Sequence, residues 1–153
     1  MPVKALTVND FRQMKLEKTP FAALTAYDAA FASLFDESGI DLILVGDSLG
    51  NVIQGRPTTL PVTLDDMIYH GEIVARAVSR AFVAVDMPFL SFQINDDEAL
   101  RNAGTLMKKT CCKGVKLEGG RTSFSKIQRI VNAGIPVIGH VGLTPQSIHS
   151  FGG

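Results

Sequence analysis

The chain has 153 residues, and its 15 Lys and Arg balance 15 Asp and Glu, so the formal net charge is zero. Hydrophobic residues make up 46% and charged residues 20%, which is typical of one globular domain with a core and excludes intrinsic disorder. The balanced charge argues against a nucleic-acid or anionic-membrane partner, and no apolar run approaches the roughly 20 residues that span a bilayer.

Short apolar segments and helical patterns alternate along the chain. Runs rich in Val, Ile and Leu predict buried strands at residues 21–25, 42–45, 82–85, 114–118 and 136–140. Capping residues and helical spacing predict helices that begin at Thr7, Asp28, Thr63, Asn95 and Ser123. This alternation predicts a parallel sheet with right-handed crossovers.

The predicted helices are expected to bury faces made of periodically spaced apolar residues. These are Phe31, Leu34 and Phe35 in the second helix, Leu100, Ala103 and Met107 in the fourth, and Phe124, Ile127, Ile130 and Val131 in the fifth. Residues 50–61 form a long segment rich in Gly, Pro and Thr, and its position makes it a candidate active-site flap. The only cysteines, Cys111 and Cys112, are adjacent, which predicts no disulfide framework and fits a reducing cytoplasm.

Four of the predicted strands end on polar or titratable side chains. In chain order they are Asp47 and Ser48, Asp86, Lys116 and Glu118, and His140. All strands of a parallel sheet point the same way, so we expect these side chains to meet at one edge of the sheet. A set contributed by successive strands is the arrangement found at the catalytic face of a (β/α) barrel.

The polar strand ends suit a metal ion and an anionic substrate. Asp47 and Asp86 match Mg²⁺, which takes one or two carboxylates and keeps positions for water and substrate oxygens. Lys116 and Glu118 are two residues apart on one strand and therefore point to the same face, either into a site or as a structural ion pair. His140 suits proton transfer or hydrogen bonding, with a purely structural role as the alternative. For Asp47 the alternative is capping of the following turn.

Five motifs distributed over the chain are specific enough to suggest a family. They are Phe-Ala-Ala-Leu-Thr-Ala-Tyr-Asp at 21–28, Val-Gly-Asp-Ser-Leu-Gly at 45–50, Thr-Leu-Pro-Val-Thr at 59–63, Val-Lys-Leu-Glu-Gly-Gly at 115–120 and Gly-His-Val-Gly-Leu-Thr-Pro-Gln-Ser at 139–147. Together they resemble the ketopantoate hydroxymethyltransferase family from about Thr7 to Gly153. The resemblance implies a TIM (β/α)8 barrel of the phosphoenolpyruvate/pyruvate superfamily. Residues 1–153 would be the N-terminal portion of that single barrel domain and carry about its first five βα units.

The resemblance also implies an activity and its partners. Family members transfer a hydroxymethyl group from 5,10-methylene-tetrahydrofolate to 3-methyl-2-oxobutanoate, giving 2-dehydropantoate through a magnesium-stabilised enolate. This reaction is the first step of pantothenate and coenzyme A biosynthesis. The expected cofactor is one Mg²⁺ ion, with the folate as cosubstrate. A cytoplasmic homo-oligomer (a decamer in the family) without nucleic-acid or membrane partners is implied as well.

Residue roles follow from the same motifs. The resemblance implies Asp47, Asp86 and Glu118 at the metal, Asp47, Ser48, Asp86 and Lys116 at the substrate, and Lys116, Glu118 and His140 as the catalytic group. The family's proposed general base, a glutamate, lies beyond the stretch that this sequence covers, as do three further strands. We therefore expect these 153 residues alone to bind ligands without turnover and to associate through their open sheet edges.

Two other functions are open at the level of sequence. One is a magnesium-dependent C–C lyase or mutase acting on 2-oxo acids in the same superfamily, against which the motifs at 115–120 and 139–146 favour the transferase. The other is a non-catalytic binding module built on an open, flavodoxin-like α/β sheet. Five strands fit that fold, although it normally needs a closing helix after its last strand.

Overall fold

The computed structural model describes residues 4–152, which form a parallel sheet with helices packed against it. The five strands are β1 (Ala23–Thr25), β2 (Leu42–Val45), β3 (Phe82–Asp86), β4 (Gly114–Glu118) and β5 (Val137–His140). They pair in the order β1-β2-β3-β4-β5, and every pairing is parallel. The predicted alternation of strands and helices is confirmed.

The described part of the chain has seven α-helices, of which the first precedes the sheet and the others lie between or after the strands. They are α1 (Val8–Glu17), α2 (Ala29–Glu37), α3 (Leu49–Val52), α4 (Leu64–Ala77), α5 (Asp96–Thr110), α6 (Phe124–Asn132) and α7 (Ile148–Phe151). Two 3₁₀ turns, Arg121–Ser123 and Pro145–Ser147, precede α6 and α7. None of the helices within residues 4–152 is both long and apolar enough to cross a membrane.

Local capping explains where the predicted helices begin. Thr63 accepts the backbone N–H of Asp66 through its hydroxyl, while the Asp66 carboxylate accepts the backbone N–H of Thr63. This reciprocal pair satisfies two backbone donors that the first helical turn leaves free. Asp28 caps α2 and Asn95 caps α5 in the simpler way, each by accepting a backbone N–H three residues later.

The strand order distinguishes between the two predicted architectures. A flavodoxin-like sheet has the order 2-1-3-4-5, in which the first strand lies inside the sheet. Here β1 lies at an edge and the order follows the sequence, which is the order of a (β/α) barrel. The open binding-module alternative is therefore wrong in its architecture, and the five βα units match the predicted barrel.

The core lies under the middle of the sheet. All five residues of β3 are buried, with α4 packed against β2 and β3 and α5 packed against β4. Gly71 of α4 allows this close approach, because a Cβ there would stand 2.9 Å from Thr110 Cγ2 and 3.1 Å from Val85 Cγ2. Gly71 therefore lets α4 pack closely on both α5 and β3.

Three predicted helix faces need correction. In α2, Phe31 and Leu34 are 56% and 54% exposed, and only Ala32 is fully buried. In α6, Phe124 and Val131 are exposed as well. Both helices flank the outer strands β1 and β5, where fewer neighbours are available to cover them. In α5 the buried stripe is Ala99, Ala103, Leu106 and Thr110, with Leu100 and Met107 at its margins.

The predicted flap at residues 50–61 is partly ordered as helix. It begins within α3, which buries Leu49 and Gly50 against the core. A Cβ at Gly50 would stand 2.6 Å from Val62 Cγ2, so the two ends of the segment are in close contact. Thr59 is also buried. The segment is therefore anchored at both ends.

Candidate functional site

The register of the sheet brings the polar strand ends together. Asp86 at the end of β3 pairs with Lys116 of β4, and Glu118 pairs with His140 of β5. Asp47 follows β2 at the same edge, and its backbone N–H donates a hydrogen bond to Asp86 Oδ2 at 3.1 Å. The strand-end residues predicted from the sequence thus lie along one edge, where a (β/α) barrel has its active site.

Asp47 and Asp86 form the carboxylate pair of this edge. Both side chains are buried, at 4% and 3% exposure. Gly46 lies beside them, where a Cβ would stand 3.0 Å from Ser48 Oγ and 3.4 Å from Asp86 Oδ2. The charge of Asp47 acts on the Asp86 carboxylate, and a cation beside two such buried carboxylates offsets their mutual repulsion. A cation is therefore expected to bind beside this pair.

Lys116 supplies a positive charge from within the protein. Its Nζ lies 2.5 Å from Asp86 Oδ1, and both side chains are largely buried. Burial raises the pKa of Asp86 to about 6, because Lys116 only partly offsets the loss of hydration and the Asp47 charge adds to it. The ion pair that the sequence predicted as an alternative for Lys116 exists, but its partner is Asp86 rather than Glu118.

Ser48 is held by a residue that follows the neighbouring strand. Its Oγ lies 2.7 Å from the Tyr27 hydroxyl, which follows β1. Tyr27 is in turn fixed by His70 of α4, whose Nδ1 lies 2.8 Å from the Tyr27 carbonyl oxygen. Burial raises the pKa of Tyr27, so this hydroxyl stays protonated and able to donate. The Ser48 hydroxyl is consequently oriented within the site.

Glu118 and His140 lie beside the carboxylate pair. The distance from His140 Nδ1 to Glu118 Oε1 is 3.5 Å, and Nδ1 is buried without a hydrogen-bond partner among the described residues. The Nδ1 atom of His140 is therefore unsatisfied here, whereas a purely structural histidine would have it hydrogen-bonded. Burial raises the pKa of Glu118, while a backbone N–H and the nearby cations act in the opposite direction.

Gln146 is a site residue that sequence analysis missed. It is buried, and its Nε2 donates to Asp47 Oδ2 at 2.8 Å and to the Met87 carbonyl oxygen at 3.0 Å. Its backbone N–H donates to Glu118 Oε2 at 3.2 Å. The only sequence signal was its position in the motif at 139–147, because the contact to Asp47 spans 99 residues of chain.

A small cavity adjoins this group of residues. Its volume is about 170 Å³, and Glu118 and Gln146 form one wall. Since one water occupies about 30 Å³ of liquid, the cavity has room for several waters or for a small ligand group. Apolar and hydroxyl side chains line its other sides, namely Phe89, Phe92, Thr122, Ser123, Thr144 and Ser147.

The donor set fits a hard divalent cation that keeps part of its water shell. Within residues 4–152, no three or more His, Cys, Asp and Glu side chains are grouped so as to hold a metal by themselves. Mg²⁺ does not require such a cage, because it is typically bound by one or two carboxylates with waters and substrate oxygens. The buried pair Asp47 and Asp86 provides that minimum, and Glu118 is joined to Asp47 through Gln146.

Comparison with known proteins assigns these motifs to a family. Residues 5–153 match the family model described as ketopantoate hydroxymethyltransferase. The chain is 54% identical over 150 residues to 3-methyl-2-oxobutanoate hydroxymethyltransferase of Syntrophotalea carbinolica, covering 98% of this chain and 56% of that protein. It is 51% identical to the enzyme of the same name from Acaryochloris marina, covering 97% and 58%. The chain spans about half the length of the curated relatives it matches.

Solved structures show the fold at much lower sequence identity. A 2,3-dimethylmalate lyase, a member of the PEP mutase/isocitrate lyase superfamily, matches with a TM-score of 0.66 at 17% identity, over 94% of this chain and 54% of that one. A phosphonopyruvate hydrolase in complex with oxalate and Mg²⁺ matches with a TM-score of 0.66 at 15% identity, over 88% and 52%. The chain therefore shares the fold of about half of each of these structures, with five parallel strands in barrel order.

Proposed function

The chain belongs to the ketopantoate hydroxymethyltransferase family, and on that basis we propose that it contributes the substrate and metal site of a hydroxymethyl transfer. The acceptor is 3-methyl-2-oxobutanoate and the donor is 5,10-methylene-tetrahydrofolate. The observation that carries the proposal is the buried Asp47–Asp86 pair at the strand ends, with Lys116 and Ser48 beside it. Residues 1–153 then act as the N-terminal portion of one barrel domain.

The reaction requires a C3 proton to leave the 2-oxo acid and a new bond to form at that carbon. C3 attacks the methylene carbon, and both bonds from that carbon to the two folate nitrogens break. Water supplies the hydroxyl group, and the two nitrogens take up the C3 proton and the remaining proton of the water. A Mg²⁺ ion held by Asp47 and Asp86 would polarise the keto group and so acidify the C3 proton. Glu118, beside this pair, is suited to hold a water of the metal shell.

The remaining side chains suit an anionic 2-oxo acid. Lys116 offers a fixed positive charge for the substrate carboxylate. Ser48 offers a hydroxyl that Tyr27 keeps oriented. His140 has a free Nδ1 beside Glu118, so it is placed to exchange a hydrogen bond with the substrate or the product. These three roles, like those of Asp47 and Asp86, are our proposal for the site.

The setting of the reaction follows from family membership. We infer a cytoplasmic biosynthetic enzyme that works as a homo-oligomer, with 2-oxo acid and folate as its small-molecule partners. Support for the cytoplasm comes from the two adjacent cysteines, which form no disulfide within the described residues. Mg²⁺ is supported by the hard-oxygen donor set and by the Mg²⁺ bound in the related phosphonopyruvate hydrolase structure.

A second candidate is a C–C lyase, because the fold is shared with 2,3-dimethylmalate lyase. The two functions are separated by one assay of the protein that contains this chain, with Mg²⁺ present. The transferase forms 2-dehydropantoate from 3-methyl-2-oxobutanoate only when methylene-tetrahydrofolate is added. Folate-independent cleavage of 2,3-dimethylmalate, without any 2-dehydropantoate, would instead establish the lyase.

A further inference from the structure

Gln146 joins two carboxylates that come from different strands. Asp47 follows β2 and Glu118 ends β4, and strand β3 lies between them in the sheet. Gln146 reaches both, using its side-chain nitrogen for Asp47 and its backbone nitrogen for Glu118. It sits in the 3₁₀ turn after β5, so a single residue ties together the loops that follow three strands.

The orientation of the Gln146 amide is determined by its neighbours. Nε2 faces two acceptors, Asp47 Oδ2 and the Met87 carbonyl, and neither can donate a hydrogen bond when Asp47 is ionised. Both amide protons are therefore used. On the other side, Oε1 accepts a hydrogen bond from Gln93 Nε2 at 3.0 Å. A reversed amide would place oxygen against two acceptors, so this arrangement is the stable one.

These contacts use one oxygen of each carboxylate and leave the other. Asp47 Oδ2 and Glu118 Oε2 are occupied by Gln146, whereas no hydrogen bond of the described residues engages Asp47 Oδ1. We propose that Gln146 is a positioning residue, which decides which carboxylate oxygens of Asp47 and Glu118 remain available to the divalent cation. This inference rests on the metal site of the proposed function and adds to it a residue that acts through these two carboxylates.

The chemistry of Mg²⁺ makes such positioning consequential. Mg²⁺ demands near-octahedral geometry with short bonds of about 2.0–2.1 Å, so it tolerates little rotation of a ligating carboxylate. Hydrogen bonds from outer residues commonly fix ligands, and their loss typically costs about 10- to 100-fold in metal affinity. A neutral amide suits this position, because a cationic side chain would compete with the metal and a carboxylate would repel Asp47.

The test measures metal affinity directly, with Mn²⁺ as the probe and the protein that contains this chain. Mn²⁺ binding is followed by electron paramagnetic resonance and by calorimetry for the unchanged chain, Gln146→Met, Gln93→Met and Gln128→Met. Methionine preserves the length of glutamine while removing its donors. Gln128 is exposed on α6 and serves as the matched control. Thermal unfolding without metal shows whether each variant is folded.

We expect the dissociation constant for Mn²⁺ to rise at least tenfold in Gln146→Met, to rise less in Gln93→Met, and to stay unchanged in Gln128→Met. A folded Gln146→Met chain that binds Mn²⁺ as tightly as the unchanged one would overturn the inference and leave the proposed function intact. If Gln146→Met does not fold, unaltered affinity in folded Gln93→Met would overturn it. No Mn²⁺ binding by the unchanged chain would overturn the proposed metal site, and this inference with it.

Discussion

Lys116 Nζ lies 2.5 Å from Asp86 Oδ1, and the parallel register of β3 and β4 places these two residues directly opposite each other. A buried ion pair of this kind is costly to desolvate and is weak evidence for stability. Its position at the strand ends indicates a role in ligand binding rather than in stability. One cation faces the carboxylate pair from inside the protein, and the same cation can face the carboxylate of a 2-oxo acid.

The first prediction concerns this lysine. Lys116→Met should weaken binding of 3-methyl-2-oxobutanoate, measured by calorimetry with saturating Mg²⁺, by tenfold or more. The reason is the loss of the only cation that contacts Asp86 among the described residues. The chain should stay folded, because loss of Lys116 raises the pKa of Asp86 further and the buried carboxyl can then take up a proton rather than remain an unpaired anion. Lys108→Met, on an exposed stretch of α5, is the control. Equal substrate affinity in both variants would contradict the assigned role.

The second prediction concerns the metal. Asp47→Asn keeps an oxygen that can accept from Gln146 but removes the charge, so Mg²⁺ affinity should fall at least tenfold while the fold persists. Asp86→Asn should lose affinity similarly and in addition leave Lys116 without its partner. Calorimetric titration with Mg²⁺ measures both. Asp97→Asn, on the surface of α5, should bind as the unchanged chain does. Retained Mg²⁺ affinity in Asp47→Asn and Asp86→Asn would remove the metal site from this edge.

The third prediction concerns the hydroxyl pair at the end of β1 and β2. Tyr27→Phe removes the partner that orients Ser48 and leaves the carboxylates untouched. One hydrogen bond contributes about 1 kcal/mol, so affinity for 3-methyl-2-oxobutanoate should fall by about three- to tenfold. Mn²⁺ affinity without substrate should not change. Tyr69→Phe, exposed on the neighbouring helix, is the control. A loss of Mn²⁺ binding instead would place Tyr27 in the metal site.

The fourth prediction concerns stability and pH. The Asp36 carboxylate accepts the backbone N–H groups of Ser79, Arg80 and Ala81. Burial alone would raise the pKa of Asp36, but these bonds outweigh it and the pKa lies below its usual range. The folded state therefore holds fewer protons than the unfolded state near pH 3.8. The stability from Asp36 is full above that pH and is lost as the pH falls through the lower, folded value.

Replacing this carboxylate should therefore have a pH signature. Asp36→Ala should lower the unfolding free energy at pH 7 by about 1–3 kcal/mol, since three backbone donors lose their acceptor. The difference from the unchanged chain should shrink below about pH 4, as the native contribution disappears. Urea unfolding at a series of pH values measures both. A difference that stays constant down to pH 2.5 would show that the carboxylate charge has no part in it.

The fifth prediction compares two glycines in neighbouring helices. Gly71→Ala would push a methyl group against Thr110 and Val85, where α4, α5 and β3 meet, and should destabilise the chain by about 1–3 kcal/mol. Gly104→Ala in α5 meets nothing within 4 Å and should stabilise it by about 0.5–1 kcal/mol through better helix propensity. Chemical unfolding of both variants measures whether each substitution raises or lowers the free energy of unfolding. The same sign for both would refute the packing argument.

Much of the fold could be predicted because the signals are local. Thr63 and Asp66 are three residues apart, so the helix cap that they form can be predicted from a short stretch of sequence. The strand 114–118 was located to the residue, since an apolar run ends there at Gly119 and Gly120. That Asp47 and Asp86 lie at the same edge of the sheet could be predicted because parallel strands all end on the same side.

What the tertiary structure decided involves residues that are far apart in the chain. The sequence by itself determined the strands, the caps and the polar residues at the strand ends, because each depends on neighbours within a few positions. It did not determine that Lys116 pairs with Asp86 rather than Glu118, since that choice depends on the register between two strands. Nor did it reveal the contact from Gln146 to Asp47, which forms only when the loops after β2 and β5 converge over the same edge.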